Sequence, residues 1–553
     1  MSAPASTIAT ATTATTARPA TRATGNRGLI DPDQPVARPG LPAILPPILR
    51  ALPAPTLAPT ASPLYRRLAS HYRQAIQSGV LAPGDRMPSV RKLARLHDVS
   101  LSTAIEVCHR LEDEGLLAAK PRSGYFVQQP RRATLVPLRE PEVRATLDPA
   151  YDATPDPMDK TRYGGIHLKV SDYVAQCERS SLVTNLAGAY GAPAAYPAKA
   201  LQAAASRVLR RHPELAVTAV GSQGDINLRS VLARRALGAG MQLTPDDVVI
   251  TYGCTEALNL ALRAVTTPGD TVAVESPTYY GLLQTIESLN LRALEIPTSP
   301  ATGLSIEALE LALQTRPDIK AVVAIPNLHN PLGCVMPDAH KARLVNLCEA
   351  AGIPLIEDDT YGALSDADTP LQAAKALDRS GNVIYCASLR KTLAPGLRLG
   401  WIVGGRWHAR IQMLKYAQSR YNEALAQMTA AEFMQTSAYD RHMLRLRQLL
   451  KTQREQTAEA IATYFPAGTR LNLPQGSMML WVELPDQRPV QPIFVEALKL
   501  GIRVAPGTLF SNSSRYDHFM RICCGDPYSR AVDDALRQLA GLLAAPQGRT
   551  SAA

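Results

Sequence analysis

Short β-branched runs alternate with helical patterns over roughly residues 181–545, and this alternation constrains the fold more than any other feature of the chain. Four of these runs are Val248–Thr251, Thr271–Val274, Ala321–Ile325 and Pro354–Glu357. Parallel strands need long crossover connections, which are usually helices, so the pattern predicts an α/β domain with a central, largely parallel sheet.

The remaining sequence divides into zones of different composition, as expected for a chain of 553 residues, which is too long for one compact core. Residues 1–62 are rich in Ala, Thr and Pro and predict a disordered tail; an organelle transit peptide is the less favoured interpretation. Residues 63–128 are compact and helical. Residues 129–180, with spaced prolines and mixed charge, are interpreted as a linker, and residues 546–553 as a second tail.

Charge and cysteine usage restrict the classes of function. The chain carries 59 Lys and Arg against 48 Asp and Glu, a formal net charge of +11. This excess favours a polyanionic partner without distinguishing nucleic acid from an acidic membrane surface. No run reaches the roughly 18 apolar residues that a membrane span needs. The eight cysteines include no CxxC pair, so they predict neither a metal site nor disulfides. Free cysteines are typical of a reducing compartment, and we therefore expect a cytoplasmic location.

Residues 64–128 predict three helices followed by a β-hairpin. Apolar side chains of the first helix share one face, from Leu64 to Ile76. Ser89 is suited to begin a second helix that runs through Leu96, and Ser100 to cap a third helix over 101–114. Residues 116–128 alternate apolar and polar side chains, which predicts the hairpin, or wing.

Two short helices joined by a tight turn place the second one in a major groove, with its N-terminal side chains near the bases. Hydroxyl side chains at these positions reach phosphates or base edges, and cationic side chains neutralise phosphates. The alternative is a helical protein-interaction module with a solvated cationic face. The candidate DNA contacts are Arg86, Ser89, Arg91, Lys92, Ser100, Ser102, Thr103 and Arg122.

Residues 81–94, Leu-Ala-Pro-Gly-Asp-Arg-Met-Pro-Ser-Val-Arg-Lys-Leu-Ala, resemble the signature of GntR-type winged-helix domains. Val99–Thr103, Leu111–Gly115 and Arg122–Val127 follow in the order of that family. The resemblance implies a winged helix-turn-helix domain that binds double-stranded DNA. Leu101 stands where many relatives have a basic residue, which implies a different base preference.

The segment Ser388–Trp401 contains the strongest chemical signal of the large domain. A lysine that bonds covalently to an aldehyde cofactor must be held in place and have a neutral form available, and Lys391 is the candidate. Ser388 precedes it by three residues and Arg398 follows by seven, so both are able to bind one phosphate group. Alone, Lys391 is more typical of an ordinary surface lysine.

Two upstream segments complement this lysine. Residues 248–260 predict a strand, a glycine turn at Gly253 and a helix, so Cys254 and Thr255 lie where backbone N–H groups bind an anion. Tyr279 follows another strand and is able to stack on a flat heterocycle, although a core or interface tyrosine is the more common case.

Two more segments follow strands, at the ends where open α/β sheets bind ligands. One contains Asn330, and the other contains Asp358, Asp359 and Tyr361. An aspartate paired with a pyridine nitrogen keeps the ring protonated, and the protonated ring withdraws electrons. Either aspartate is able to do this; an isolated acidic pair is more often a helix cap or an ion pair.

These segments occur in the order of fold-type I pyridoxal 5'-phosphate (PLP) enzymes, which residues 181–545 resemble. Arg521 resembles the arginine that binds a substrate α-carboxylate in that family. The resemblance implies the following cofactor contacts: Lys391 for the internal aldimine, Asp358 for the pyridine nitrogen, Asn330 and Tyr361 for the phenolic oxygen, Tyr279 for the ring face, and Ser388, Arg398, Cys254 and Thr255 for the phosphate.

A winged helix joined to an aminotransferase-like domain resembles the MocR subfamily of GntR-type regulators. The resemblance implies a homodimeric transcription regulator that senses an amine, an amino acid or PLP itself. The alternatives are an active PLP-dependent aminotransferase with an accessory N-terminal module and a binding module without cofactor. Three departures stand out: Arg390 where a small residue is usual, Cys254 for a commoner serine, and Ala219 for a tyrosine.

Overall fold

The computed structural model describes residues 63–77, 80–120, 123–128, 136–138, 165–217 and 221–544. The predicted tails therefore lie outside the described residues, as does most of the predicted linker. The chain divides into two compact units, with the boundary between residues 130 and 131. No helix of the described residues is both long and apolar enough to cross a membrane.

The first unit contains three helices and a hairpin, as the sequence predicts. Ser89 and Ser100 both cap helices, each accepting an N–H three residues on. The two strands are antiparallel, and the backbone of residues 84–87 hydrogen-bonds to the second of them. The elements are α1 (Leu64–Gln77), α2 (Val90–Leu96), α3 (Leu101–Asp113), β1 (Leu117–Lys120) and β2 (Gly124–Val127).

The core of this unit forms where the apolar faces of the three helices meet. Leu68 and Tyr72 of α1, Leu93 of α2 and Leu111 of α3 are fully buried together, with Leu117 of the hairpin. Their spacing places one apolar stripe on each helix, which positions the exposed N-terminus of α3 on the outside of the unit.

The second unit alternates helices with strands over most of its length. Its helices are α4 (Ile166–Arg179), α5 (Ala198–Arg211), α6 (Ile226–Ala236), α7 (Cys254–Val265), α8 (Tyr280–Ser288), α9 (Ile306–Thr315), α10 (Asp338–Ala350), α11 (His408–Gln418), α12 (Ala424–Met434), α13 (Ser437–Tyr464), α14 (Val490–Lys499) and α15 (Arg530–Ala544). Its strands are β3 (Thr184–Asn185), β4 (Val248–Thr251), β5 (Thr271–Ser276), β6 (Arg292–Ser299), β7 (Gly303–Leu304), β8 (Ile319–Ala324), β9 (Leu355–Asp358), β10 (Val383–Ser388), β11 (Gly400–Val403), β12 (Arg470–Leu471), β13 (Met479–Glu483), β14 (Ile502–Arg503), β15 (Ala505–Pro506) and β16 (Phe519–Cys523).

Eight strands form the central sheet in the order β4-β11-β10-β9-β8-β5-β6-β7. The pairs from β10 through β9, β8 and β5 to β6 are parallel, whereas β11 and β7 are antiparallel to their neighbours. Helices cover both faces, so strands such as β4, β5 and β10 are buried along their whole length. The predicted largely parallel sheet is confirmed, and the carboxyl ends of its parallel strands share one edge.

A smaller sheet, in the order β12-β13-β16-β15, belongs to the C-terminal part of this unit. Strand β16 is buried throughout and carries Arg521. The backbone of β16 also contacts the start of the unit, because the N–H of Cys523 donates to the carbonyl of Leu186. This contact brings the C-terminal part of the sequence to the beginning of the large unit.

The interpretation of residues 129–180 as a linker fails for its last part. Helix α4 packs on the large unit through the buried side chains of Ile166, Val170 and Cys177. The short segment 136–138 is also attached, since the carbonyl of Val136 accepts the N–H of Leu471. The sequence contained the signal for α4, because its apolar residues are spaced at helical intervals.

Candidate cofactor and DNA-binding sites

Lys391 follows strand β10 and is buried at the carboxyl edge of the central sheet. Its Nζ donates to the carbonyl of Ala189 and lies 5.5 Å from the centre of the Tyr361 ring. Burial, together with the guanidinium groups of Arg390 and Arg521, lowers the pKa of Lys391 to about 7. A substantial fraction of this amine is therefore neutral, and so nucleophilic, near neutral pH.

Asp358 ends strand β9, which pairs with β10. Its Oδ1 accepts hydrogen bonds from the hydroxyl of Thr360 at 2.6 Å, from the N–H of Thr360 at 3.0 Å and from Sγ of Cys254 at 3.3 Å. The negative charge of Asp358 raises the pKa of Lys391 and so partly opposes the lowering by burial and by the two arginines. Both side chains are buried.

The adjacent Asp359 has a different environment. Its Oδ2 accepts the hydroxyl of Tyr385 at 2.7 Å, and Tyr385 packs against Trp401. Neighbouring residues of an extended segment project to opposite sides, which accounts for the separation of the two carboxylates. Of the two candidates left open by the residue pattern, Asp358 is the one whose charge acts on the pKa of Lys391.

Both predicted tyrosines belong to the same cluster. Burial, the neighbouring Tyr280 and the Asp358 carboxylate all raise the pKa of Tyr279. Burial raises the pKa of Tyr361 well above its usual value, and the guanidinium of Arg521 opposes that shift. Both phenols are therefore neutral hydrogen-bonding groups at physiological pH.

Arg521 and Asn330 are joined by a hydrogen bond. Arg521 donates through Nη1 to Oδ1 of Asn330 and through Nη2 to the carbonyl of Ala187, both at 2.9 Å, and it is almost fully buried. Because the Asn330 oxygen accepts from Arg521, the amide nitrogen of Asn330 is left to donate to a ligand. The guanidinium also lies against the ring of Phe510, 4.9 Å from its centre.

The predicted anion-binding turn lies beside these groups. Gly253 has φ +82°, a conformation that favours glycine, and helix α7 begins at the next residue. The turn also lies close to β11, since a Cβ on Gly400 would come within 2.6 Å of the Gly253 Cα. Gly400 pairs in register with Ser388 of β10 and with Thr251 of β4. The segment that precedes Lys391 and the turn at Gly253 therefore lie on either side of β11, at the same level of the sheet.

The phosphate contacts are less closely grouped than the ring contacts. The Ser388 hydroxyl accepts the N–H of Arg390 at 3.1 Å and donates to the carbonyl of Leu399 at 3.4 Å. Thr255 and Arg398 are exposed, and no described hydrogen bond joins either side chain to the lysine cluster. Their role at a phosphate stays a prediction.

Two contacts of the site were missed in the sequence. The carbonyl groups of Ala187 and Ala189 accept from Arg521 and Lys391, and backbone acceptors leave no signature in side-chain patterns. The sequence also did not indicate that the thiol of Cys254 contacts Asp358. Ala219 lies outside the described residues.

The candidate DNA contacts cluster at the start of α3 and around α2. Ser100 Oγ lies 2.8 Å from both Ser102 Oγ and Thr103 Oγ1, which forms a group of three hydroxyls at the N-terminus of α3. Leu101 and Ile105 are exposed on the same helix, and exposed apolar groups there are able to contact thymine methyl groups.

The cationic candidates that the structure describes lie on α2 and beside the hairpin of the first unit. Arg91 and Lys92 are exposed on α2, beyond the Ser89 cap, and no ion pair involves either one among the described residues. Arg86 forms a backbone bridge to Phe126 of the hairpin, which places it at the base of the wing. Arg122 lies outside the described residues. All these DNA contacts stay predictions.

Comparison with known families agrees with this division of the chain. Residues 64–127 match the gntR family of bacterial regulatory proteins, and residues 191–539 match the aminotransferases of class I and II. A DNA-binding winged helix and an aminotransferase-like domain in one chain define a class of transcription regulators.

Similar proteins span nearly the whole chain. The HTH-type transcriptional regulators YjiR and YdcR of Escherichia coli K12 are 36% and 34% identical, over 86% and 87% of this chain and 97% and 98% of their own. The solved structure of the α-aminoadipate aminotransferase LysN from Thermus thermophilus, complexed with N-(5'-phosphopyridoxyl)-L-leucine, is 25% identical with a TM-score of 0.63. The matched region covers 70% of this chain and 97% of the LysN chain. The chain belongs to the MocR-type branch of the GntR regulators.

Proposed function

We propose that this transcription regulator holds PLP through Lys391 and uses the bound cofactor to sense a small amine, an amino acid or PLP itself. The observation that carries the proposal is the convergence of Lys391, Asp358 and the Gly253 turn, which lie far apart in the sequence. An amine, an acid and an anion-binding turn match the aldehyde, the ring nitrogen and the phosphate of PLP.

The residues of the cluster fit this group chemically. The Lys391 amine has a lowered pKa, and an amine that is largely neutral is required for covalent attachment. The Arg521 Nε is buried without a hydrogen-bond partner in the described part of the chain, so the site retains donor capacity for a ligand. LysN, similar in fold, was solved with a phosphopyridoxyl compound.

Each residue has a distinct part in this proposal. Bound PLP supplies an electron-withdrawing ring and an aldehyde carbon that exchanges one amine for another. Lys391 holds the cofactor covalently, and Asp358 keeps a proton on the ring nitrogen. Tyr279 covers the ring face, while Asn330 and Tyr361 orient the phenolic oxygen. The N–H groups at the start of α7, with Ser388 and Arg398, hold the phosphate.

Sensing then requires a difference in affinity between two arrangements of the regulator. A ligand shifts the balance between a DNA-binding and a non-binding arrangement only by the ratio of its affinities for them. An amino acid that displaces Lys391 changes the contacts of this amine, including the one to Ala189. We propose a homodimer on double-stranded DNA as the species that responds.

The test combines an absorbance spectrum with a gel shift, using the full chain and the DNA upstream of its own gene. We expect a PLP absorbance band that Lys391→Ala abolishes, together with a DNA affinity that responds to PLP or to an amine only when the lysine is present. Lys199→Ala, at an exposed lysine on α5, is the matched control. A Lys391→Ala variant with unaltered spectrum and response would overturn the proposal.

A further inference from the structure

Three cationic side chains of the cofactor site contact one short segment. Residues 186–191 form this segment, which we call the strap. Arg521 donates to the carbonyl of Ala187, Lys391 donates to the carbonyl of Ala189, and the guanidinium carbon of Arg390 lies 5.8 Å from the ring centre of Tyr190. In the order of the strap residues that they contact, the three cations form a row of Arg521, Lys391 and Arg390.

The two arginines of this row are not neutralised by the protein. In the part of the chain that the structure describes, no carboxylate lies within ion-pair distance of Arg390 or Arg521. The Nε atoms of both are buried without a hydrogen-bond partner there. A buried guanidinium N–H without an acceptor is costly, so each arginine retains donor capacity for an anionic group.

Electrostatics agrees with this geometry. After burial, Arg390 and then Arg521 are the largest causes that lower the pKa of Lys391, so both cations act on the amine from close by. An α-amino acid with a second carboxylate has the complementary pattern, namely a central amine between two anions. Arginine is the side chain best suited to bind a carboxylate through two parallel hydrogen bonds.

We propose that Arg390 is a specificity-determining residue that binds the side-chain carboxylate of an acidic α-amino acid, whose α-carboxylate binds Arg521. This inference rests on the proposed function, because the amino acid reaches the site as the ligand of the PLP-loaded regulator. The effector class is then a dicarboxylic amino acid, with its amine directed at the position of Lys391.

The PLP phosphate is the other anion that Arg390 is able to bind, and the contacts favour the amino acid. Arg390 packs on Tyr190 of the strap and influences the phenol of Tyr196 just beyond it. Within the described residues, no hydrogen bond joins the strap to the Gly253 turn, where the phosphate is expected. Arg390 and Arg521 therefore both contact the strap, at Tyr190 and at Ala187.

The experiment measures affinities for matched acid and amide ligands by calorimetry, with the full PLP-loaded chain. Glutamate is compared with glutamine, and aspartate with asparagine, because each pair differs only in the terminal group. We expect at least one acid to bind tenfold or more tightly than its amide. Arg390→Gln reduces this ratio to near one and leaves the affinity for the amide within about twofold. Arg410→Gln, at an exposed arginine of α11, keeps the ratio of the natural chain.

Two results overturn the inference. One is an equal affinity for acid and amide in the natural chain; the other is a ratio that survives in Arg390→Gln. If Arg390→Gln loses PLP while the ratio persists, Arg390 belongs to the phosphate site, and the inference is again wrong. If the proposed function itself is wrong, the result is different from both of these. The natural chain then shows no PLP absorbance band and binds neither the acid nor the amide of a pair.

Discussion

The thiol of Cys254, in the first turn of helix α7, lies 3.3 Å from Oδ1 of Asp358 at the end of strand β9. Burial raises the pKa of this carboxyl, and the hydrogen bonds from Thr360 and Cys254 oppose that shift. The charged form of Asp358 therefore depends on its donors. The residue that begins helix α7 thus also supports the charged form of Asp358.

Removing this thiol should weaken cofactor binding through Asp358. Cys254→Ala deletes one donor, so the carboxylate becomes easier to protonate, and we expect the dissociation constant for PLP to rise on the order of fivefold, about 1 kcal/mol. Cys254→Ser retains a donor and should bind PLP like the natural chain. Equilibrium titration followed by absorbance measures both. Equal weakening in the two variants would contradict a role for the hydrogen bond.

Substitution of the two neighbouring aspartates, Asp358 and Asp359, should affect PLP binding differently. Asp358→Asn removes the charge beside Lys391, and we expect PLP retention to fall by on the order of tenfold or more, with a shifted absorbance maximum. Asp359→Asn leaves an oxygen that still accepts from Tyr385, so its spectrum should be unchanged. Gel filtration followed by absorbance provides the comparison. The opposite pattern would show that Asp359 is the ring partner.

Capture of PLP should depend on pH through Lys391. Its pKa of about 7 means that the neutral amine rises from roughly one tenth at pH 6 to roughly nine tenths at pH 8. Only the neutral amine attacks the aldehyde, so the rate of PLP association should rise about tenfold over this range. Stopped-flow absorbance measures the profile. Arg390→Gln removes one nearby cation and should move the midpoint to higher pH; a profile with its midpoint above pH 9 in the natural chain would contradict the lowered pKa.

Local patterns predicted the elements of the first unit and several strands of the central sheet well. The helix boundaries of α1 to α3 follow from apolar spacing and from the serine caps at Ser89 and Ser100, because these signals act within a few residues. The strand at Val248–Thr251 is confirmed at the predicted bounds for the same reason. Lys391 and Asp358 were assigned to one site by resemblance, and in the structure the Asp358 carboxylate acts on the pKa of Lys391; their role at a cofactor stays a prediction.

Other features depend on long-range packing and were not predicted from the sequence. The choice between Asp358 and Asp359 required knowledge of which side of β9 faces the lysine. The strap contributes carbonyl groups, which every residue has, so nothing distinguishes Ala187 or Ala189 before the chain is folded. Helix α4 was assigned to the linker although its apolar residues are spaced at helical intervals, because the prolines and mixed charges earlier in the segment determined the interpretation.

Ser100, the N-cap of helix α3, allows a structural role and a proposed DNA-binding role to be separated. Ser100→Ala loses the hydrogen bond to the Thr103 N–H, and we expect the first unit to lose about 1 kcal/mol of stability. Ser100→Asp keeps a capping oxygen but adds a negative charge where DNA phosphates approach. It should melt like the natural chain and bind DNA at least about tenfold more weakly. Calorimetric melting and fluorescence anisotropy measure the two effects; undiminished DNA affinity in Ser100→Asp would exclude this helix end from the DNA interface.

Arg91 should contribute to DNA affinity by neutralising a phosphate rather than by recognising a base. It is exposed on α2, and no described carboxylate pairs with it, so its charge is available to the DNA backbone. Arg91→Ala should weaken specific and non-specific binding by a similar factor. It should also flatten the plot of log affinity against log salt by about one unit for each phosphate that is no longer neutralised. Anisotropy titrations at several salt concentrations measure the slope, with Arg410→Ala on the large unit as the control that keeps it. A variant that loses specificity but retains the slope would instead place Arg91 against a base edge.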